Sequence, residues 1–352
     1  MTENTTEWIS DITFNDLEKE HTEQVEIINI PQKKTTHQAL VSQVENIYPH
    51  PNADALDIVR VDNYECAVRR GEFKLGDLFV FIVPDTLVNP ARPEFAFLSD
   101  NILKKVRIKV KRLRGYYSQG LILPAPPGFG LGDDTWDYFE LERYDPEAAS
   151  ENIGDARGGP NVSKYDVDSI NKFTYLFDGL EVVATEKIHG SNYRVGFLDG
   201  EIYVGSRSMW KKDGNNPWWN CYRKYPQIEE FIKNNPGLLL YGELYGCTQD
   251  IRYGLTENAF AAFDVRIHNG GYLPYDEFCT ICDRYNIPRV PELFRGTFDF
   301  PALQELAEQP SALYDGGKEG IVIKGVIEEY KGRLGRTQAK YISNWYFTRK
   351  GK

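Results

Sequence analysis

From residue 37 onward the chain sets apolar and polar positions in short alternating blocks. ALVSQVENIYP, ALDIVRVDNYECAVR, DLFVFIVPDT, KKVRIKVKRL and SQGLILPAP each place β-branched or aromatic residues near a period of two, and Gly, Pro, Asn or Asp separates them. The pattern predicts five short strands in about 90 residues, the count and size of a small OB-like β-barrel. Over 126–172 it dissolves into PPGFGLGDD and PEAASENIGDARGGPNVSKYD, whose glycines, prolines and acids read as a connection. GFGLGD lacks the strand-turn-helix setting of a dinucleotide fingerprint and reads as a turn. Beyond it, LEVVATEKI, YRVGFL, EIYVGS, GLLLYGELY, AFAAFDVRI and EGIVIKGV alternate with predicted helices over Pro226–Asn234, around the segment YDEFCTICDRYNIP, and near 301–308. This is an α+β pattern with mainly antiparallel strands. The expected organisation is a polar N-terminal extension (1–36), an OB-like domain (37–145), a linker (146–172) and an α+β domain (173–352).

The chain has 352 residues, 41% hydrophobic and 26% charged, enough for two or three domains with their own cores. Its longest early apolar run, 78–83, is far below the ~18 residues that span a bilayer. The start, MTENTTEWIS, has no basic segment and no apolar h-region, so no signal peptide is expected and the predicted location is the cytoplasm, with no membrane partner. Five scattered cysteines are no disulfide framework. Cys279 and Cys282 lack a second ligand pair for zinc and fall on a predicted amphipathic helix, so they read as helix residues packed in a core.

The formal charge is −11, yet it is unevenly spread. Residues 103–120 hold Lys104, Lys105, Arg107, Lys109, Lys111, Arg112 and Arg114 with no acid. In VRIKVKRLRG the apolar Val106, Ile108 and Val110 alternate with Arg107, Lys109 and Lys111, which predicts one buried and one cationic strand face. Arg107, Lys109, Lys111 and Arg114 are the candidate nucleic-acid contacts. Tyr116 and Tyr117 follow as a candidate stacking pair. The bland reading is a solvated polar face with tyrosines in the core.

One lysine stands out in the second half. Lys187 ends an apolar run and precedes a turn closed by Gly190. A lysine desolvated at a pocket mouth near other cations becomes an amine nucleophile, although a lone K-x-x-G is a weak signal. Glu243 in LLLYGELYG and Glu319 in KEGIVIKG sit at strand ends, two carboxylates able to hold a hard divalent cation. Phe263 is either core or an aromatic platform for a purine. Arg207 and Lys340 add cations.

In this order the residues resemble the covalent nucleotidyltransferase superfamily of ATP-dependent ligases and capping enzymes, over about 173–345. Lys187-Ile188-His189-Gly190 is similar to motif I, Ser206-Arg207 to Ia, Tyr241-Gly242-Glu243 to III and Phe263-Asp264 to IIIa. Glu319-Gly320-Ile321-Val322-Ile323-Lys324 is similar to motif IV and Lys340 to V. Thr185 to Gly190 followed by Ser191-Asn192 is closest to RNA ligases, in which the Asn at the place of Asn192 is functional. With a barrel placed first, the order resembles the Deinococcus and Naegleria type of RNA ligase. Only 12 residues follow Lys340, so no C-terminal barrel of the DNA ligase or capping kind is expected. Motif V here has Ile342 where a second lysine is usual, leaving that role to be shared with Lys324.

The resemblance implies an α+β nucleotidyltransferase domain and an ATP-dependent RNA ligase acting through lysyl-AMP on Lys187. Catalytic roles fall to Lys187, Lys340 and Lys324. Nucleotide contacts fall to Glu186, Lys187, Ile188, Asn192, Arg207, Glu243, Phe263, Glu319, Lys324 and Lys340, and Mg2+ or Mn2+ to Glu319 and Glu243. The expected partner is RNA or an RNA-containing duplex with 3′-OH and 5′-phosphate ends, sealed by a monomer. A DNA ligase, a capping-type guanylyltransferase and a catalytically inactive RNA-binding protein are the alternatives.

Overall fold

The computed structural model describes residues 38–144, 155–247 and 249–349. The N-terminal extension expected over 1–36 lies outside the described residues.

The N-terminal domain is built around the strand Leu78–Ile82, flanked antiparallel by Val41–Gln43 and Leu121–Pro124. Phe79 and Phe81 enter a core with Val59, Tyr64 and Ile122, while Val80 and Ile82 enter another with Val41, Phe95 and Phe139. Both faces are covered, which explains the unbroken apolar run LFVFIV: a strand buried on two sides does not alternate. A second sheet orders Asn46–Pro49, Leu56–Val61 and Tyr64–Arg69. Here the structure corrects the sequence reading. ALDIVRVDNYECAVR is a hairpin rather than one strand, because Asp62 adopts φ 52° and folds the chain back; Asp is one of the few side chains that tolerates this region. In VRIKVKRL, Ile108 and Val110 are buried and Lys109 and Lys111 exposed. The alternation holds although the ladder is interrupted between Val106–Arg107 and Lys111–Leu113.

The C-terminal domain stacks two sheets. One comprises β1 (Glu181–Lys187), β6 (Glu292–Thr297), β7 (Gly320–Gly325) and β8 (Gln338–Ile342) with the short strand Asp168–Ser169. The other comprises β2 (Ser191–Leu198), β3 (Glu201–Gly205), β4 (Leu238–Tyr245) and β5 (Ala259–Ile267), extended by Trp210–Lys211 and Ala156–Arg157. All pairings are antiparallel except that of Asp168–Ser169 with β8. Helices α1 (Pro217–Lys224), α2 (Pro226–Asn234) and α3 (Tyr275–Tyr285) bury Trp219, Phe231, Phe278 and Cys282 against the second sheet. Helix α4 (Phe300–Glu308) covers the first sheet with Leu303 and Ala307. Cys282 is fully buried and Cys279 half-buried, as core residues of a helix.

Helix α1 escapes the sequence pattern, although its signal is present. The Asn216 side chain accepts from the Trp219 amide at 3.1 Å, with Pro217 at the first helical position. The described part of the connection, from residue 155, is woven into the C-terminal domain. Tyr165 packs on Tyr241 and Phe263 at ring separations of 5.3 and 4.8 Å.

The two domains join through Tyr64, whose hydroxyl donates to Ser169 Oγ at 2.9 Å, and through Asn63, whose amide donates to the Asn171 carbonyl at 3.0 Å. Among the described residues, no helix is long and apolar enough to cross a membrane.

Candidate active site

The chain crosses from one sheet to the other between Lys187, last residue of β1, and Ser191, first of β2. The crossing puts Lys187 at the mouth of a cleft of about 590 Å3 between the sheets and against the N-terminal domain. Gly190 makes the crossing possible: a Cβ there would meet the Leu244 carbonyl oxygen at 2.4 Å and Glu243 Cγ at 2.8 Å. Lys187 is opposite Gly320 in the β1/β7 ladder, so Glu319, one residue earlier, reaches it. The ammonium lies 2.8 Å from Glu319 Oε1. Burial would raise the Glu319 carboxyl, but Lys187 and His189 beside it hold it down at about 2.

His189 sits in the same turn. Nε2 is 2.7 Å from Asp250 Oδ1, and Nδ1 is 3.1 Å from the Tyr346 hydroxyl and 3.6 Å from Glu319 Oε2. Tyr346 belongs to α5 (Asn344–Thr348), and Arg349 just beyond it binds Asp250 at 2.9 Å and lies 4.0 Å over the Tyr346 ring. The structure puts His189, a motif I position with no role of its own in the sequence reading, beside the lysine, with partners far away in the chain.

Cations line the inner wall. Lys340 on β8 faces the cleft, its ammonium lowered by burial and by Lys187, with Asp166 opposing. Asp166 is held well below the carboxylate range, despite burial, by Arg143 with Lys340 and Arg207. Arg143 comes from the N-terminal domain and donates to Asp166 Oδ1 at 2.8 Å, while Arg207 approaches the same oxygen at 3.9 Å. Lys324 is deeper. It donates to the Phe263 carbonyl at 2.6 Å and to Asp264 Oδ2 at 3.0 Å, and Asp264 also binds Arg336. Burial lowers the Lys324 ammonium, with Asp264 opposing.

The remaining candidates surround this wall. Glu186 is buried, and its carboxylate accepts from Ser311 Oγ at 2.5 Å and the Ala312 amide at 2.7 Å. Ile188 packs with Ile251 and Val290, and half-buried Phe263 borders the cleft. Asn192 on β2 is opposite Glu243 on β4.

All ten nucleotide-contact candidates therefore line one cleft: Glu186, Lys187, Ile188, Asn192, Arg207, Glu243, Phe263, Glu319, Lys324 and Lys340. The four N-terminal candidates divide. Arg107 lines the cleft, bound to Asp85 at 2.7 Å, whereas Lys109, Lys111 and Arg114 are exposed outside it. Arg143, Asp166, His189 and Tyr346 join the site without a sequence signal strong enough to single them out. Among the described residues no group of three or more His, Cys, Asp and Glu could hold a metal by itself. Glu319 and Glu243 supply oxygen donors only, which fits a hard divalent cation shared with phosphate oxygens rather than one caged by protein.

Comparison with known proteins gives the same two halves. Residues 180–342 match the RNA ligase family model, and residues 38–125 match an OB-fold domain model. One curated relative, Protein Early 65 kDa of Autographa californica nuclear polyhedrosis virus, is 28% identical over 32% of this chain and 22% of its own length. Another, an uncharacterised protein of Methanocaldococcus jannaschii, is 30% identical over 41% of this chain and 38% of its own. The chain thus spans well under half the length of either. Among solved structures, a Naegleria gruberi RNA ligase variant with ATP and Mn is 26% identical, with a TM-score of 0.77, covering 88% of this chain and 98% of that one. The Naegleria gruberi RNA ligase with PPi has a TM-score of 0.75 at 24% identity, covering 89% of this chain and 98% of that one, a likeness of fold.

Proposed function

From a chain whose residues 180–342 belong to the RNA ligase family and whose residues 38–125 form an OB-fold domain, we propose an ATP-dependent RNA ligase that joins 3′-OH and 5′-phosphate ends. The observation that carries it is the Lys187 ammonium, 2.8 Å from Glu319, in a cleft shared with Arg207, Lys324 and Lys340.

In the first reaction Lys187 Nζ, after losing a proton, attacks the α-phosphorus of ATP. The P–N bond to AMP forms as the P–O bond to pyrophosphate breaks. Glu319 orients the amine, and Arg207 and Lys340 stabilise charge on the phosphates. Lys324, anchored by Asp264, adds positive potential behind them. A 5′-phosphate oxygen of the nucleic acid then displaces Lys187 from AMP. In the third reaction the 3′-hydroxyl attacks that 5′-phosphate, the phosphodiester forms and AMP leaves. Phe263 offers a ring face to adenine, with Glu186, Ile188 and Asn192 around the nucleoside. Mg2+ or Mn2+ at Glu319 and Glu243 would neutralise phosphate charge.

Within this reading the substrate is a nick in an RNA-containing duplex, handled in the cytoplasm by a monomer. The domains are assigned as 37–145 and 173–352, joined by 146–172, whose part from 155 onward packs on the C-terminal domain. The test is label transfer from α-phosphate-labelled ATP to the protein with Mg2+ or Mn2+, beside Lys187→Ala and labelled GTP. Acid-labile label from ATP, absent in the variant, is expected. Label from GTP alone would make the chain a capping-type guanylyltransferase, and none from either nucleotide, in folded protein not already adenylylated, would sink the catalytic reading.

A further inference from the structure

A second cavity, of about 320 Å3, lies on the seam between the domains. Arg60, Tyr116 and Tyr117 border it from the N-terminal domain, and Gln304, Tyr341 and Asn344 from the C-terminal one. Gln119 borders both this groove and the catalytic cleft, so the two adjoin.

Its walls are aromatic and amide. The strands Lys111–Leu113 and Tyr116–Ser118 form a ribbon in which Arg112 is opposite Tyr117 and Leu113 opposite Tyr116. Tyr116 is pinned: its hydroxyl donates to Glu65 Oε2 at 2.6 Å, and Tyr48 donates to Oε1 of the same carboxylate at 2.5 Å. Tyr117 is half-buried, with the Arg112 guanidinium 5.6 Å from its ring centre. Opposite them, helix α5 packs on the strand Lys111–Leu113 and brings Asn344 to the groove. Among the described residues the Asn344 Oδ1 atom is buried without a hydrogen-bond partner. Asn63, Gln119, Gln304 and Asn344 together offer both donors and acceptors, suited to a base edge or a ribose 2′-hydroxyl. Exposed Arg60 at the rim suits a phosphate.

We propose that this groove holds one ribonucleotide of the RNA strand leaving the catalytic cleft, its base against Tyr117 and its edge or 2′-hydroxyl on the amides of Asn344 and Gln304. The inference rests on the RNA ligase reading and adds to it a nucleic-acid subsite made jointly by the two domains. None of its residues belongs to the adenylylation machinery. It therefore separates RNA grip from lysine chemistry.

The experiment uses the full chain with Tyr117→Ala, Asn344→Ala and the double variant. Lysine adenylylation from labelled ATP is measured beside anisotropy with a 5′-phosphorylated, nicked RNA duplex. A 4-thiouridine series near the nick maps the crosslinked peptide. Adenylylation at the wild-type rate is expected, with RNA affinity about tenfold weaker or more for each variant, and a crosslink within 111–119. Unchanged RNA affinity in adenylylation-competent variants overturns the groove and leaves the ligase reading standing. Wild-type protein that takes label but binds no RNA overturns both the groove and the RNA substrate, and wild-type protein that takes no label locates the failure in the catalytic reading itself.

Discussion

Lys187 and Glu319 meet because β1 and β7 are neighbours: Lys187 is opposite Gly320, and the carboxylate one residue earlier lies 2.8 Å from the ammonium. Replacing Glu319 by Gln keeps the shape and removes the charge. Lysine adenylylation should fall about 100-fold or more, the scale of losing a preorganised electrostatic partner. Label transfer per minute under saturating ATP checks this, with circular dichroism confirming the fold.

The same pair makes stability depend on pH. Glu319 has its folded pKa depressed to about 2 from the ordinary 4.5. Its contribution is therefore fully present above pH 4.5 and is lost as pH falls towards 2. The shift corresponds to about 3 kcal/mol. Denaturant midpoints of wild type and Glu319→Gln, followed from pH 6 to pH 3, should converge as the pH drops.

Asp264 holds Lys324 and Arg336 in a buried cluster. Asp264→Ala leaves buried Lys324 without its carboxylate, while Arg336 keeps Glu328, and the expected cost is about 3–5 kcal/mol. Thermal unfolding should show a fall of several degrees in Tm. A Tm within a degree of wild type would mean that the cluster relaxes into solvent.

Gly190 has no room for a side chain: a methyl group on its Cα would sit 2.4 Å from the Leu244 carbonyl oxygen and 2.8 Å from Glu243 Cγ. Gly190→Ala must push β2 from β4 or move Lys187. Adenylylation is expected to drop at least tenfold while RNA affinity holds, read in parallel label-transfer and anisotropy assays.

Lys109, Lys111 and Arg114 are exposed outside the cleft. If they track phosphates, each Ala substitution should weaken RNA binding similarly across sequences and reduce the slope of log K against log salt by about 1. Titrations between 50 and 200 mM salt measure it.

Several features could be read without a fold. The run LFVFIV reads as a strand, although only the structure shows both its faces buried, and VRIKVKRL reads as one wet and one dry face, because side-chain direction in a strand has a period of two. Lys187, Glu243, Glu319 and Lys340 are legible because each sits in a short local sequence whose order along the chain is itself informative. The Asp62 turn and helix α1 were missed, although their local signals were present in Asp-Asn and Asn-Pro.

What only tertiary structure decided is which distant groups share a volume. His189 meets Asp250 61 residues away and Tyr346 157 away. Arg143 crosses from one domain to Asp166 of the other, and Arg107 turns into the cleft while Lys109 and Lys111 face solvent. Local sequence carries backbone preference and burial period. Charge pairing across a cleft depends on how two sheets and a barrel close on one another, and that closure is set by the sum of many core contacts rather than by any one segment.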